Sequence, residues 1–108
     1  MKKLDSEFNY LLDMYKDSYY PSFLVDKIQL NIRKVVHFLE EGSHSLEAVQ
    51  EKLDEMTFAI NELQDEFYQH NSEIETVARD SIAITVEEIL QYFEIDIDIE
   101  EALTERDW

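Results

Sequence analysis

The sequence predicts an all-α protein: an antiparallel bundle of four principal helices plus a short C-terminal helix, in a single domain spanning residues 1–108. Two observations support this fold class. The chain has one Gly and one Pro, far below the usual shares of about 7% and 5%, so it has few residues for hairpin turns. Apolar side chains also recur at intervals of three and four residues, which places them on one side of a helix.

The first two helices are predicted before residue 43. The first runs from about Asp5 to Lys16. Its apolar side is formed by Phe8, Leu11, Leu12 and Tyr15. Pro21 begins the second helix, because its fixed φ suits a first turn, and Gly42 ends it as a left-handed cap. The apolar side of this second helix consists of Leu24, Val25, Ile28, Ile32, Val35, Val36 and Leu39.

Two further helices follow. Ser45 is positioned to cap the third, whose apolar residues recur in uninterrupted steps of three and four. They are Leu46, Val49, Leu53, Met56, Ile60, Leu63 and Phe67. After the loop His70-Asn71-Ser72, Ser72 and Glu75 have the spacing of a capping box at the start of the fourth helix. The buried side of the fourth helix is predicted to comprise Ile74, Val77, Ala78, Ile82, Val86, Ile89 and Phe93.

The segment after Phe93 carries a conflicting pattern. Residues 95–99 alternate strictly between Ile and Asp, which taken alone indicates a β-strand. The sequence offers no partner strand, and an isolated strand leaves its backbone polar groups unpaired. We therefore predict a short extended connector, followed by a helix of about two turns that Asp98 caps and that ends near Arg106.

The repeat in the third helix has two interpretations. Its spacing is that of a coiled-coil dimer, but the flanking positions lack the complementary charges that select a partner helix. We therefore assign this seam to the core of the bundle. Phe58 points away from the seam, and we expect the first or last helix to cover it, the alternative being a second subunit.

Negative charge is concentrated in the second part of the chain. Of a formal net charge of −17, residues 1–45 contribute −1 (six Lys/Arg against seven Asp/Glu) and residues 46–108 contribute −16 (three against nineteen). Such a surface repels phosphate backbones and anionic lipids, so we expect neither nucleic acid nor a membrane as partner. The charge favours a basic protein partner, cation binding or solvation alone.

The sequence contains no recognisable catalytic motif. The absence of Cys excludes disulfides, thiolate nucleophiles and sulfur-ligated zinc. No Gly-rich loop is present to hold a phosphate, and no Ser lies in a Gly-flanked elbow. The start of the chain lacks the apolar region of a signal peptide, and no run reaches membrane-spanning length. We therefore expect a cytoplasmic protein that is not an enzyme.

Histidines near carboxylates raise the alternative of a metal-dependent function. His37 and Glu40 lie three residues apart, and Glu66 and His70 lie four apart. Each pair can therefore supply two ligands on the same side of a metal ion. Di-metal helical bundles, however, need a Glu-x-x-His on each of two helices. We expect no metal and no cofactor, and the alternative would draw on His37, His44, His70 and nearby carboxylates.

Aromatic residues surround Pro21. They are Tyr15, Tyr19, Tyr20 and Phe23. We expect them to fold over the end of the bundle as a lid, the alternative being a contact patch, since Tyr is enriched at interfaces. Trp108 poses the same choice, and we expect it to dock on the bundle alongside Ile99, Leu103 and Arg106.

Three segments carry a resemblance to a known family. They are Tyr19-Tyr20-Pro21-Ser22-Phe23-Leu24-Val25-Asp26-Lys27, Glu73-Ile74-Glu75-Thr76-Val77-Ala78-Arg79 and Arg106-Asp107-Trp108. The chain resembles a family of small acidic bacterial proteins, found in Gram-positive bacteria among others, that is classed as a domain of unknown function. The resemblance covers most of the chain and implies a compact helical protein. It brings no activity, ligand or catalytic residue.

These observations lead to the hypothesis of a protein-interaction module that uses the acidic face of residues 46–108. The partner is a protein, basic in charge; a nucleic-acid mimic that occupies a basic cleft is one version, and a homodimer stays open. The predicted partner-binding residues are Tyr19, Tyr20, Phe58, Glu62, Asp65, Glu87, Glu88 and Trp108.

Overall fold

Three long helices and two short ones form the protein in a computed structural model that describes residues 2–108. They are α1 (Leu12–Lys16), α2 (Ser22–Glu40), α3 (Leu46–Gln69), α4 (Thr76–Tyr92) and α5 (Ile99–Ala102). Within residues 2–108 there is no β-strand. The predicted fold class is confirmed: the four helices α1 to α4 form the bundle, and α5 is the short C-terminal helix.

The pairing of α2 with α3 is the most extensive helix contact. Lys27 of α2 pairs with Glu66 of α3 at 2.8 Å, and at the other end Lys52 of α3 lies 5.4 Å from the ring of Phe38, so the two helices run antiparallel. The short helix α1 contacts α2 and α4, whereas α5 contacts α3 and α4. The C-terminal segment therefore lies between α3 and α4.

Buried side chains on α2 and α3 follow the predicted pattern closely. All seven apolar residues predicted for α2 are buried, as are all those predicted for α3 except Leu46. Burying a Leu- or Ile-sized side chain contributes roughly 1.5–3 kcal/mol, so this seam is a main source of stability. The start of α3 is as predicted, since Ser45 accepts a hydrogen bond from the Ala48 N–H. The α2 helix ends just before Gly42, but the predicted left-handed cap does not form: Gly42 has a φ of 139°, far from the value of about 57° that such a cap takes.

The predicted start of the first helix at Asp5 is wrong, because the helix begins only at Leu12. Leu11 has a φ of 52°, and this left-handed conformation interrupts any helix that would pass through it. Its N–H donates to the Thr85 Oγ1 of α4 at 3.1 Å. The turn shifts the apolar side of the segment: Leu11 and Met14 are fully buried, whereas Leu12 is exposed.

The predicted capping box of Ser72 and Glu75 is also wrong. Residues 67–72 instead close α3 with a Schellman motif: the Ser72 N–H donates to the Phe67 carbonyl at 2.8 Å, and the Asn71 N–H donates to the Tyr68 carbonyl at 3.1 Å. Asn71 takes the left-handed conformation that this motif requires, with a φ of 59°. The α4 helix then begins at Thr76, with Glu75 as its cap.

The same motif ends α4. The Ile95 N–H donates to the Leu90 carbonyl at 2.9 Å, and the Glu94 N–H donates to the Gln91 carbonyl at 3.1 Å, with Glu94 at a φ of 58°. The extended connector that follows is as predicted, and Asp98 caps α5 by accepting from the Glu100 N–H at 3.0 Å. The helix itself is shorter than predicted, since it ends at Ala102.

Replacing Thr85 by Val tests the bond that orients α1. The substitution keeps the side-chain shape but removes the acceptor, leaving the buried Leu11 N–H without a partner. We expect it to lower the free energy of unfolding by about 1–3 kcal/mol, measured by urea denaturation. The matched control is Thr85→Ser, which keeps the hydroxyl. If T85V were as stable as T85S, the bond would not be what holds Leu11.

Candidate partner-binding surface

The structure distributes the predicted partner-binding residues over four places. Tyr19 and Tyr20 precede α2; Phe58, Glu62 and Asp65 lie on α3; Glu87 and Glu88 lie on α4; and Trp108 follows α5. These residues do not converge on one pocket. The candidate site is therefore a set of surface regions rather than a single cleft.

Phe58 lies at the centre of an acidic helix face. Its side chain is 51% exposed, so the expectation that the first or last helix covers it is wrong. Residues three, four and seven positions away share its side of the helix. Those six positions hold Asn61 and five carboxylates, which are Glu51, Asp54, Glu55, Glu62 and Asp65. We call this outer side the α3 face; it spans about 21 Å, at 1.5 Å per residue.

The C-terminal segment is bound to one edge of the α3 face. The Asn61 Nδ2 donates to the Glu105 carbonyl at 2.9 Å, and the Asp107 N–H donates to the Asn61 Oδ1 at 3.1 Å. Trp108 packs against the apolar core, with the Arg106 guanidinium 5.7 Å from its ring. The expected docking of Trp108 on the bundle is confirmed, and most of the ring surface is committed to contacts within the chain.

The aromatic residues around Pro21 divide into two groups. Tyr20 is buried and its hydroxyl donates to the Glu75 carboxylate, as expected of a lid. Tyr15, Tyr19 and Phe23 are exposed, which contradicts the lid expectation for them.

At this end of the bundle, sequence reasoning missed Tyr68 and considered His70 only as a candidate metal ligand. Tyr68 is 63% exposed, and interaction with the Glu73 carboxylate raises the pKa of its phenol. His70 packs edge-on against Phe23, with 5.0 Å between ring centroids. No sequence signal placed them here, because the antiparallel pairing of α2 with α3 brings the end of α3 beside the start of α2.

Carboxylates dominate the surface formed by residues 46–108. None of the nineteen is buried, and in the described part of the chain only three form ion pairs. These are Glu66 with Lys27 at 2.8 Å, Glu55 with Lys52 at 3.7 Å and Glu100 with Arg106 at 3.4 Å. The other sixteen face solvent with no cationic side chain of residues 2–108 within 4.0 Å of them.

The metal hypothesis receives no support from the geometry. Across residues 2–108 there is no group of three or more His, Cys, Asp or Glu side chains that could hold a metal ion. His44 stacks on Phe38 with ring centroids 3.7 Å apart, and its Nε2 lies 2.8 Å from the Phe38 carbonyl oxygen. The Nδ1 of His70 lies 2.9 Å from the Glu66 carbonyl oxygen. Both rings therefore have local structural partners.

A second exposed apolar region lies between α1 and α4. A cavity of about 210 Å³ is lined by residues of both helices, among them Leu12, Ser81, Ile84 and Glu88. Leu12 and Ile84 are exposed, although the sequence pattern assigned Leu12 to the core. Glu88 is the one predicted partner-binding residue that lines this cavity.

Fold and surface together define an acidic, all-α protein with exposed apolar residues among its carboxylates. The chain belongs to the Family of unknown function (DUF5713), whose model matches residues 4–108. This match confirms that the family noted in the sequence is one of unknown function and that it covers most of the chain. Comparison with curated proteins and with solved structures gave no match. Of the helices between residues 2 and 108, none has the length and apolar content to cross a membrane.

The excess of unpaired carboxylates predicts that salt stabilises the fold. Like charges repel one another in the compact state, and 0.1 M salt screens that repulsion beyond about 10 Å. We expect the melting temperature at pH 7 to rise as NaCl is added. The control is the same titration near the isoelectric point of about 4.2, where the effect should be much smaller. A melting temperature that falls with salt at pH 7 would mean that attractive pairs outweigh repulsion.

The hydrogen-bonded phenol of Tyr15 leads us to predict that the protein loses stability at alkaline pH. The Tyr15 hydroxyl donates to Asp26 Oδ1 at 2.6 Å. Partial burial of this otherwise exposed side chain, reinforced by the bond, raises the pKa of Tyr15 above its ordinary value of 10.0. A phenol whose pKa is higher in the folded state contributes stability that is present below about pH 10 and is lost as the pH rises above it. We expect Tyr15→Phe to lose less stability than wild type between about pH 10 and 12. Parallel stability curves for the two proteins would contradict this.

Proposed function

We propose that this protein is a non-enzymatic interaction module of the cytoplasm that binds a basic protein through the acidic surface of residues 46–108. The observation that carries the proposal is the α3 face, where the exposed Phe58 is surrounded by five carboxylates. The two features together suit a partner that offers an apolar contact within a rim of Lys or Arg.

Charge complementarity supports a basic partner rather than a second copy of the chain. Opposite potentials accelerate association and suppress wrong partners, whereas like charges brought together oppose binding. A homodimer through the α3 face would bring Glu62 and Asp65 against an equally acidic surface. The same repulsion acts against nucleic acid and anionic membranes. A basic cleft that normally binds the phosphates of nucleic acid is one partner surface with the required positive charge, and this protein would then act as a nucleic-acid mimic.

Phe58 supplies the apolar component of the proposed contact. Aromatic side chains are enriched in the centres of interfaces, and surrounding polar residues exclude water from them. Exposure of a large aromatic ring is unfavourable in the isolated protein, and its burial by a partner recovers that free energy. The carboxylates at both ends of the α3 face then determine which partners can approach.

The test uses immobilised wild-type protein to capture partners from an extract of the source cells at about 0.05 M and 0.2 M NaCl. A captured protein is then purified and its affinity measured for Phe58→Ala and for the double variant E62Q/D65N. We expect the Kd for F58A to be at least about tenfold higher than that for wild type. We expect the affinity of E62Q/D65N to depend less on salt concentration than that of wild type.

Leu30→Ala is the matched control, because Leu30 is an exposed apolar residue on α2 outside the acidic surface. It should bind the purified partner as wild type does. Capture of no protein at either salt concentration would refute the proposal, and so would a captured partner whose affinity is unchanged in both F58A and E62Q/D65N.

A further inference from the structure

We infer that the groove between α1 and α4 is a docking site for an amphipathic basic helix of a partner protein. This inference rests on the proposed function, since both require a basic partner, but it places the apolar anchor on a different part of the surface. The α1–α4 groove is defined by the cavity between Leu12 and Asp13 of α1 and Ser81, Ile84 and Glu88 of α4.

The size of the cavity indicates what it accommodates. Its volume of about 210 Å³ is below the roughly 300–1,000 Å³ of typical small-molecule sites. It is large enough for one Leu- or Phe-sized side chain. The cavity therefore suits an apolar anchor of a protein segment better than a metabolite.

Exposed apolar residues extend the groove along α4. Leu12 is 44% exposed, Val77 43% and Ile84 51%, and Val77 and Ile84 are seven residues apart, so they share one side of the helix. The sequence pattern assigned both Leu12 and Val77 to the core, yet the fold leaves them outside. Apolar residues that a fold exposes in a row mark interaction sites more often than isolated ones do.

Carboxylates border these apolar residues. Asp13 and Glu88 line the cavity, and Asp80 and Glu87 lie four positions before and three positions after Ile84, so that both are its neighbours on the helix surface. The one cation of α4 is Arg79, which is two positions from both Val77 and Ser81 and therefore on another side of the helix. By the same spacing, Lys16 of α1 lies beside Leu12. The rim therefore carries four carboxylates against one cation, and this balance attracts Lys and Arg.

The groove is formed before any partner binds. The Leu11 N–H donates to the Thr85 Oγ1 at 3.1 Å within the protein interior, and this bond ties the start of α1 to the middle of α4. Preformed sites lose less conformational entropy on binding. A helix that presents Leu-sized residues three, four and seven positions apart, with Lys or Arg beside them, matches both the apolar row and its rim.

The test uses a fluorescently labelled synthetic peptide of Leu and Lys, amphipathic as a helix and about 14 residues long, near the lower length limit of isolated helices. Binding is measured by anisotropy at about 0.05 M NaCl to wild type, Ile84→Glu and Leu12→Glu. Both substitutions add negative charge while removing an apolar contact. If charge alone attracted the peptide, the variants would bind it as tightly as wild type or more tightly. If the peptide docks in the groove, we expect the affinity of each variant to be at least about tenfold lower than that of wild type.

Leu30→Glu is the matched control, since it makes the same change at a residue of similar exposure, 57%, on α2 and outside the acidic surface. It should bind the peptide as wild type does, and circular dichroism should show all variants folded. Unchanged binding by I84E and L12E would overturn the inference, as would failure of wild type to bind the peptide. A loss in L30E as large as that in I84E and L12E would also overturn the groove, and the proposed function is judged separately on the captured partner.

Discussion

Burial of the apolar seam between α2 and α3 is the interaction on which the rest of the structure depends. Val25 and Ile28 of α2 and Leu53 and Ile60 of α3 are fully buried. Because a helix repeats every 3.6 residues, fixing one side of α3 against α2 directs the opposite side to water. The α3 face, with Phe58 among its carboxylates, is therefore a direct consequence of how the core packs.

Three turns of this protein place residues other than glycine in the left-handed region. Leu11, Asn71 and Glu94 all take positive φ values, although the left-handed conformation costs roughly 1–2 kcal/mol for an L-residue. Hydrogen bonds of the surrounding backbone offset that cost at Asn71 and Glu94, where Schellman motifs close α3 and α4. At Leu11 the Thr85 hydroxyl has this role. The Schellman bonds join residues within one six-residue segment, whereas the bond at Leu11 joins two helices that are distant in the chain.

The surface combines two features that are each unfavourable in isolation. Sixteen carboxylates of residues 46–108 lack an ion-pair partner among the described residues, and large apolar side chains such as Phe58 and Ile84 are exposed among them. Like charge opposes the association of two copies of the chain through these apolar residues. A basic partner removes both penalties at once, which connects the proposed function to the electrostatics of the free protein.

The sequence by itself determined the helical class, the buried sides of α2 and α3, and the caps at Ser45 and Asp98, because these depend on periodicity and on neighbours within one or two turns. Tertiary structure alone decided that α1 begins at Leu12, that Leu12 is exposed, and that nothing in the described chain covers Phe58. The physical reason is separation along the chain. The bond that interrupts the first helix joins residues 74 positions apart, and exposure depends on which elements pack together, which no local pattern encodes.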